Sequence, residues 1–311
     1  MPRPFRFGVV TTGSEDGAAW RAKARRAEAL GYSSLLLPDH FQAQWGPLVA
    51  AALAAEATSR LRVGTLVLCN DYRHPVVLAK EIATLDLASG GRVEVGLGAG
   101  WKREDYDAAG MRFDAPPARI ERMAEALRVM KALWASDEPV SLRGRHYAID
   151  GAVGTPRPVS RPHPPLCIGG GGRRVLSLAA REAQIVSLNA TLRGGAIGPG
   201  TLADASPAGF DEKLAWVREA AGPRLGEIEL QCHCPFVTVG PEGRAAAGAL
   251  ARRLDLSPEH AGWFPLALCG SEAELCDALV RRRERWGFSY TIIPSDRMEA
   301  FAPVVARLAG T

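Results

Sequence analysis

The sequence has no apolar run long enough to cross a membrane. The longest, Leu48 to Ala55, is far short of the ~20 residues a span needs. Met1 to Phe7 has no apolar core of the kind a secretory leader carries, so no signal peptide and a cytoplasmic protein are expected. Low-complexity tails and internal repeats are also missing. No one sign of charge dominates. The 38 Lys and Arg against 34 Asp and Glu leave a net +4 with both signs interspersed, too mild a field for nucleic acid but compatible with an acidic small molecule. The loop after the first apolar run, Thr11-Thr12-Gly13-Ser14-Glu15-Asp16, lacks the G-x-G-x-x-G spacing of a dinucleotide-binding sheet. Cysteine is sparse, at 69, 167, 232, 234, 269 and 276. Most lie in apolar strand-like runs, as small buried hydrophobes of a reduced protein do. Cys232-His233-Cys234 has no second ligand pair at a zinc-like spacing. On a strand its cysteines face one way and His233 the other, so no metal is expected.

What the chain does have is alternation. Its 311 residues, 47% hydrophobic, suit a single domain over 1–311. Candidate strands are Phe5–Val10, Ser34–Pro38, Arg62–Leu68, Val93–Gly98, Pro165–Gly169, Gln184–Leu188, Glu227–Val239 and Tyr290–Ile293. Candidate helices are Ala18–Leu30, Pro47–Ala57, Pro75–Ser89, Pro117–Ser136, Arg173–Glu182, Gly209–Ala221, Ala273–Trp286 and Asp296–Leu308, several opened by proline. Eight strand–helix alternations in a chain of this length predict a (β/α)8 TIM barrel with insertions, an open doubly wound sheet being the alternative. One insertion is a hairpin over Val140 to Ile149, turning at Arg143-Gly144-Arg145. The other is a glycine-rich loop from Arg193 to Gly200, a lid or an ordinary mobile loop.

In such a barrel the chemistry sits at the carboxyl ends of the strands. Leu35-Leu36-Leu37 ends in Pro38-Asp39-His40-Phe41. A histidine there can move a proton during turnover, which makes His40 the leading acid/base candidate, assisted by Asp39. Gly96-Leu97-Gly98-Ala99-Gly100-Trp101 reads either as tight packing at a strand end or as a place where a planar ligand approaches the backbone, with Trp101 as a wall. Gly169-Gly170-Gly171-Gly172-Arg173-Arg174 ends one strand and opens a helix, presenting backbone N–H groups and guanidiniums to an anion such as phosphate. Asn70, Asp71 and Arg73 lie on the same face, fit to orient a substrate or to cap turns. Arg281-Arg282-Arg283 with Arg285 reads as a solvated helix face.

These blocks in this order resemble the bacterial luciferase-like family of flavin and deazaflavin oxidoreductases. They are Gly31-Tyr32 to His40, Leu61 to Thr65, Leu85-Asp86 to Trp101, Pro164 to Gly172, Gly270-Ser271 and Gly287 to Tyr290. The resemblance covers most of the chain and is strongest from Phe5 to Leu188. Its nearest branch uses coenzyme F420, a 5-deazaflavin. It implies a barrel with the cofactor ring in its mouth and a non-prolyl cis peptide near Leu66-Val67. The cofactor contacts it implies are Asp39, Trp45, Leu66, Val67, Asn70, Gly98, Ala99, Gly100 and Trp101, with the phosphate on Gly170, Gly171, Gly172 and Arg173. His40 matches the catalytic histidine of the deazaflavin-dependent sugar-phosphate dehydrogenases. Those enzymes carry a glutamate where this chain has Trp101, which speaks against sugar-phosphate oxidation. The expected activity is F420H2-dependent reduction of an activated C=C or C=N bond in a small organic molecule. A reduced-FMN monooxygenase and a non-catalytic flavin-binding protein are the alternatives. The expected partners are a small-molecule substrate and a second copy of the chain, with no nucleic acid and no membrane.

Overall fold

The computed structural model describes residues 2–192, 195, 201, 204–253 and 264–311. In chain order the first half runs β1 (Arg6–Val10), α1 (Gly17–Ala29), β2 (Ser34–Leu37), α2 (Pro47–Ala57), β3 (Arg62–Thr65), β4 (Leu68–Cys69), α3 (Pro75–Ser89), β5 (Val93–Gly98), α4 (Arg103–Ala108) and α5 (Pro116–Ala135). Next come the hairpin β6 (Val140–Arg143) and β7 (Ala148–Ala152), then β8 (Leu166–Gly170), α6 (Arg173–Glu182), β9 (Ile185–Leu188) and α7 (Pro207–Ala221). The chain ends with β10 (Glu229–His233), β11 (Phe236–Val239), α8 (Gly243–Arg253), β12 (Ala267–Gly270), α9 (Glu272–Trp286), β13 (Phe288–Pro294) and α10 (Met298–Leu308).

Eight parallel strands close in the order β3-β2-β1-β13-β10-β9-β8-β5, with β5 pairing back to β3. This is the (β/α)8 barrel expected from the alternation. Strand side chains alternate between the two faces. Outward-facing Phe7, Val9, Leu35, Leu37, Val63, Val93 and Val95 are buried with Trp20, Ala24, Ala54 and Ile82 of the surrounding helices. The barrel interior is filled instead by polar groups at its amino-terminal end. Glu94 accepts hydrogen bonds from Arg6 Nη1 (2.5 Å), Arg62 Nε (2.8 Å) and the Tyr290 hydroxyl (3.0 Å). Arg6 also forks onto Glu229 at 2.8 and 2.6 Å. Above this floor Leu36, Cys167, Ile185, Tyr290 and Ile292 pack together.

Three sequence expectations change. The expected strand Glu227–Val239 is two strands of different sheets, β10 in the barrel and β11 paired with β12. Pro235 lies between them and has no N–H for a ladder. The third expected strand is similarly split into β3 and β4 by a cis peptide at Leu66-Val67. Arg282 is buried rather than solvated. Its guanidinium donates to the carbonyls of Phe264 (2.9 Å), Pro265 (3.1 Å) and Ala267 (2.5 Å), fixing the entry to β12. The elements α4, α8 and β12 have no counterpart among the expected strands and helices. The expected glycine-rich lid lies mostly outside the described residues. Among the described residues no helix is long and apolar enough to cross a membrane.

Glu94 is only 4% exposed, and removing one partner of a buried ionic cluster leaves the others uncompensated. Glu94→Ala is therefore expected to cost about 3 kcal/mol by urea unfolding, and Glu94→Gln clearly less. Equal midpoints for the variant and the parent would show that the floor does not depend on this carboxylate.

Candidate active site

At the carboxyl end of β2 the chain turns through Pro38-Asp39-His40. His40 Nδ1 lies 2.6 Å from Asp105 Oδ2, and Asp105 is buried on the short helix α4. A carboxylate accepting from Nδ1 leaves Nε2 as the ring atom that can take or give a proton. The Trp101 ring stands edge-on to the imidazole with centroids 5.6 Å apart. The Tyr72 hydroxyl also donates to Asp105 Oδ2 at 3.4 Å. Phe41, 50% exposed, stacks on Tyr72 at 4.5 Å and gives the rim an apolar surface.

Asp39, expected to assist His40, is engaged elsewhere. Its carboxylate receives both Nη atoms of Arg73 (2.6 and 3.1 Å) and the backbone N–H of Cys69 (3.0 Å). It thereby ties the end of β2 to the end of β4. The carboxylate on His40 is Asp105, which sequence reasoning missed. Its signal was an acidic pair, Glu104-Asp105, shortly after the glycine run and Trp101.

A second set of bonds supports this arrangement. Asp71 accepts from Tyr106 Oη (3.0 Å), Arg122 Nη1 (2.9 Å) and Asn70 Nδ2 (3.3 Å). Tyr106 Oη lies 3.3 Å from Cys69 Sγ. Burial pushes the Cys69 thiol up to about 11 and raises the Tyr72 and Tyr106 phenols, so all three stay protonated at neutral pH. Gly100, expected at the cofactor, seats this tyrosine. Its φ is +78° and a Cβ there would come 1.9 Å from Tyr106 Oη, so no other residue fits.

The cis peptide Leu66-Val67 lies where the family resemblance implied one. Leu66 packs against the cluster inside the barrel. Val67 lies between Gly98 and Gly169, since a Cβ on either glycine would come 2.7 or 3.7 Å from its methyls. Ala99 packs on the core beside it. Half-buried Trp45 stacks on Trp20 at 5.5 Å and closes over Gly13.

Gly170, Gly171 and Gly172 lead into α6. The N-cap residue Gly172 makes no side-chain cap, and nothing lies within 4 Å of where its Cβ would be. Among the described residues no side chain caps the first N–H groups of this helix, and there is room beside Gly172 for a phosphate. Arg173 pairs with Glu219 at 2.9 Å, both more than 60% exposed. Such an exposed pair is worth little and gives way to an anion at small cost. The loop, the Val67 floor and the aromatic walls fit a phosphorylated cofactor with a planar ring.

The sequence from residue 4 to 198 matches the family model described as luciferase-like monooxygenase. The chain belongs to this family. An F420-dependent glucose-6-phosphate dehydrogenase of Amycolatopsis mediterranei is 34% identical over 51% of this chain and 49% of its own length. An FMNH2-dependent dimethylsulfone monooxygenase of Pseudomonas putida is 30% identical over 58% of this chain and 55% of its own length. The chain thus spans about half the length of the curated relatives it matches. The solved structure of a coenzyme F420-dependent tetrahydromethanopterin reductase from Methanopyrus kandleri superposes with a TM-score of 0.78, covering 98% of this chain and 99% of that one at 18% identity. The fold is shared with that protein.

Two further histidines bear on stability. Burial lowers the pKa of His163 from its ordinary 6.5, and burial alone brings His233 to about 4. Both rings stay neutral in the fold at pH values where the unfolded chain binds protons. Their contribution is therefore complete above about pH 6.5 and is lost as the pH falls toward 4. The melting temperature is expected to fall between pH 7 and pH 5, and His233→Gln to flatten part of that fall. A parent protein whose melting temperature rises on acidification would contradict this.

Proposed function

We propose that this chain is a coenzyme F420-dependent oxidoreductase that reduces an activated C=C or C=N bond of a small organic substrate. The observation that carries the reading is the His40–Asp105 pair, 2.6 Å apart at the end of β2 and beside Trp101. The bound reduced deazaflavin would supply a hydride. Reduction then needs one proton, and His40 is placed to give it while Asp105 holds Nδ1 and fixes the ring. Asp39 and Arg73 brace the end of the strand that carries His40. Trp45, Trp101 and Phe41 line an apolar mouth that limits water around the reacting bond. Val67 with Gly98 and Gly169 would back the ring, and the uncapped start of α6 with Gly171 and Gly172 would take the phosphate.

A second reading, a reduced-FMN monooxygenase, is favoured by the 30% identity to the dimethylsulfone enzyme. Both cofactors carry a phosphate and a planar ring, so the same cradle serves either. Parallel fluorescence titrations with F420 and FMN, oxidised and reduced, separate the two. Selective tight binding of F420 is expected, and selective binding of reduced FMN with substrate-coupled oxygen uptake would overturn the deazaflavin reading. In the F420-loaded enzyme His40→Ala is expected to lower kcat about 100-fold or more, with cofactor affinity unchanged. Asp105→Asn should give a smaller loss in kcat. Turnover that survives His40→Ala intact would remove the histidine from the chemistry.

A further inference from the structure

His233 stands apart from the bonds that serve His40. It ends β10, in register with Ile292 of β13, and Ile292 belongs to the cluster inside the barrel. Two residues earlier, Gln231 accepts a bond from Cys167 of that same cluster (3.7 Å). Alternate residues of a strand share a face, so Gln231 and His233 point one way and Cys232 and Cys234 the other. The thiols of Cys232 and Cys234 both donate to the Pro265 carbonyl at 3.3 Å, away from the barrel interior. His233 therefore turns inward, at the mouth. On the neighbouring strand Ser187 is in register with Gln231. Asn189 lies one strand period beyond Ser187, donates to its hydroxyl at 3.4 Å, and borders Gly169. This makes a polar wall of Gln231, His233 and Asn189, three strands round the barrel from the His40–Asp105 pair.

Part of the hydrogen-bonding capacity of the wall is unused. Among the described residues neither His233 Nε2 nor Gln231 Nε2, both buried, has a hydrogen-bond partner, a state rare in native folds that asks for an occupant. The wall is also uncharged. Burial is what keeps the His233 ring neutral. Two guanidiniums of the strand-end loops are committed, Arg73 to Asp39 and Arg122 to Asp71 and Asp114. Neutral imidazole and amide groups match an uncharged oxygen and leave a carboxylate or phosphate uncompensated.

We propose that His233, with the Gln231 amide below it, is the substrate-positioning residue of this mouth and holds the uncharged carbonyl oxygen that activates the substrate's double bond. The proposal rests on the reading of this site as a reductase. In an α,β-unsaturated ketone the β-carbon accepts the hydride and the π pair moves toward the carbonyl oxygen, where His233 donates. The α-carbon then takes a proton from His40. Two C–H bonds replace the C=C π bond, the substrate gains two electrons and the reduced cofactor loses two.

The test uses cofactor-loaded enzyme with 2-cyclohexen-1-one as the neutral probe and cyclohex-1-ene-1-carboxylate as its anionic counterpart. Calorimetry is expected to show the enone bound about tenfold more tightly than the carboxylate, and His233→Leu to weaken the enone by about tenfold, the worth of one neutral hydrogen bond. His233→Gln, which keeps a neutral donor, should retain most of the affinity. In His233→Leu, KM for the enone should rise and kcat should also fall, because the oxygen that His233 holds gains charge as the hydride adds, while cofactor affinity stays near the parent value. In 15N-histidine NMR spectra the His233 ring resonance, identified by its loss in either variant, should move on addition of enone. Enone affinity untouched by His233→Leu, a carboxylate bound as tightly as the enone, no enone binding, or a silent His233 resonance would each overturn the proposal. If His233→Leu does not fold, the parent NMR shift and the His233→Gln affinity decide. The cofactor titration fails or succeeds separately. An enzyme that takes reduced FMN and still contacts the enone through His233 would sink the deazaflavin reading alone.

Discussion

The barrel closes at the seam between β3 and β5, and the rest of the architecture depends on how closely those two backbones approach. A Cβ on Gly64 would lie 1.9 Å from the Glu94 carbonyl oxygen, so only glycine permits this pairing. Thr65 stitches the same seam, its hydroxyl donating to the Gly96 carbonyl at 2.8 Å and accepting from the Gly96 N–H at 3.1 Å. Directly beyond it the chain passes through Leu66-Val67 and resumes pairing with β5 as β4. Tightness at the seam thus brings Val67 against Gly98 and gives the mouth its floor. The same approach places Glu94 on the inner wall, where it gathers Arg6, Arg62 and Tyr290.

Polar groups are therefore distributed unequally along the barrel axis. At the amino-terminal end charges meet opposite charges at short range, which suits a floor that has only to hold. At the carboxyl end the groups divide into two kinds. Asp39, Asp71 and Asp105 are each bonded to several donors and position the loops and His40. Among the described residues, His233 and Gln231 keep nitrogens with no partner. The desolvation of such groups is repaid when a ligand supplies the missing partner.

Most of the framework was legible in the sequence because local signals agreed with the global fold. Pro47 and Pro75 opened helices at positions the structure reproduces. The apolar run Leu35-Leu36-Leu37 ending in Asp39-His40 placed a histidine at the correct end of a strand. Partnerships were not legible. Adjacency along the chain suggested that Asp39 assists His40, yet successive residues at a strand end diverge. The carboxylate on His40 comes instead from α4, 65 residues on. Arg282 looked solvated because it sits in a run of arginines, and only the close packing of β12 shows the carbonyls it serves. The break after Cys234 was hidden because apolar composition continues across Pro235 while the hydrogen-bonding partner changes sheet.

On the proposed reading, the His40–Asp105 pair and the wall that carries His233 also constrain the chemistry. Oxidation of an alcohol needs a base for the hydroxyl proton, and oxidation of a sugar phosphate needs in addition a cationic seat for its anion. Here Arg73 and Arg122 are closed on aspartates, and an indole, Trp101, packs against the imidazole. Adding a hydride and a proton across a double bond asks for less. A single histidine held by a carboxylate gives the proton, an apolar rim keeps water from competing for the hydride, and a neutral donor steadies the oxygen that polarises the bond. His40 with Asp105, Phe41 with Trp101, and His233 match these three requirements one for one. On that ground a mouth of this composition suits reduction of a neutral conjugated substrate better than oxidation of a charged one.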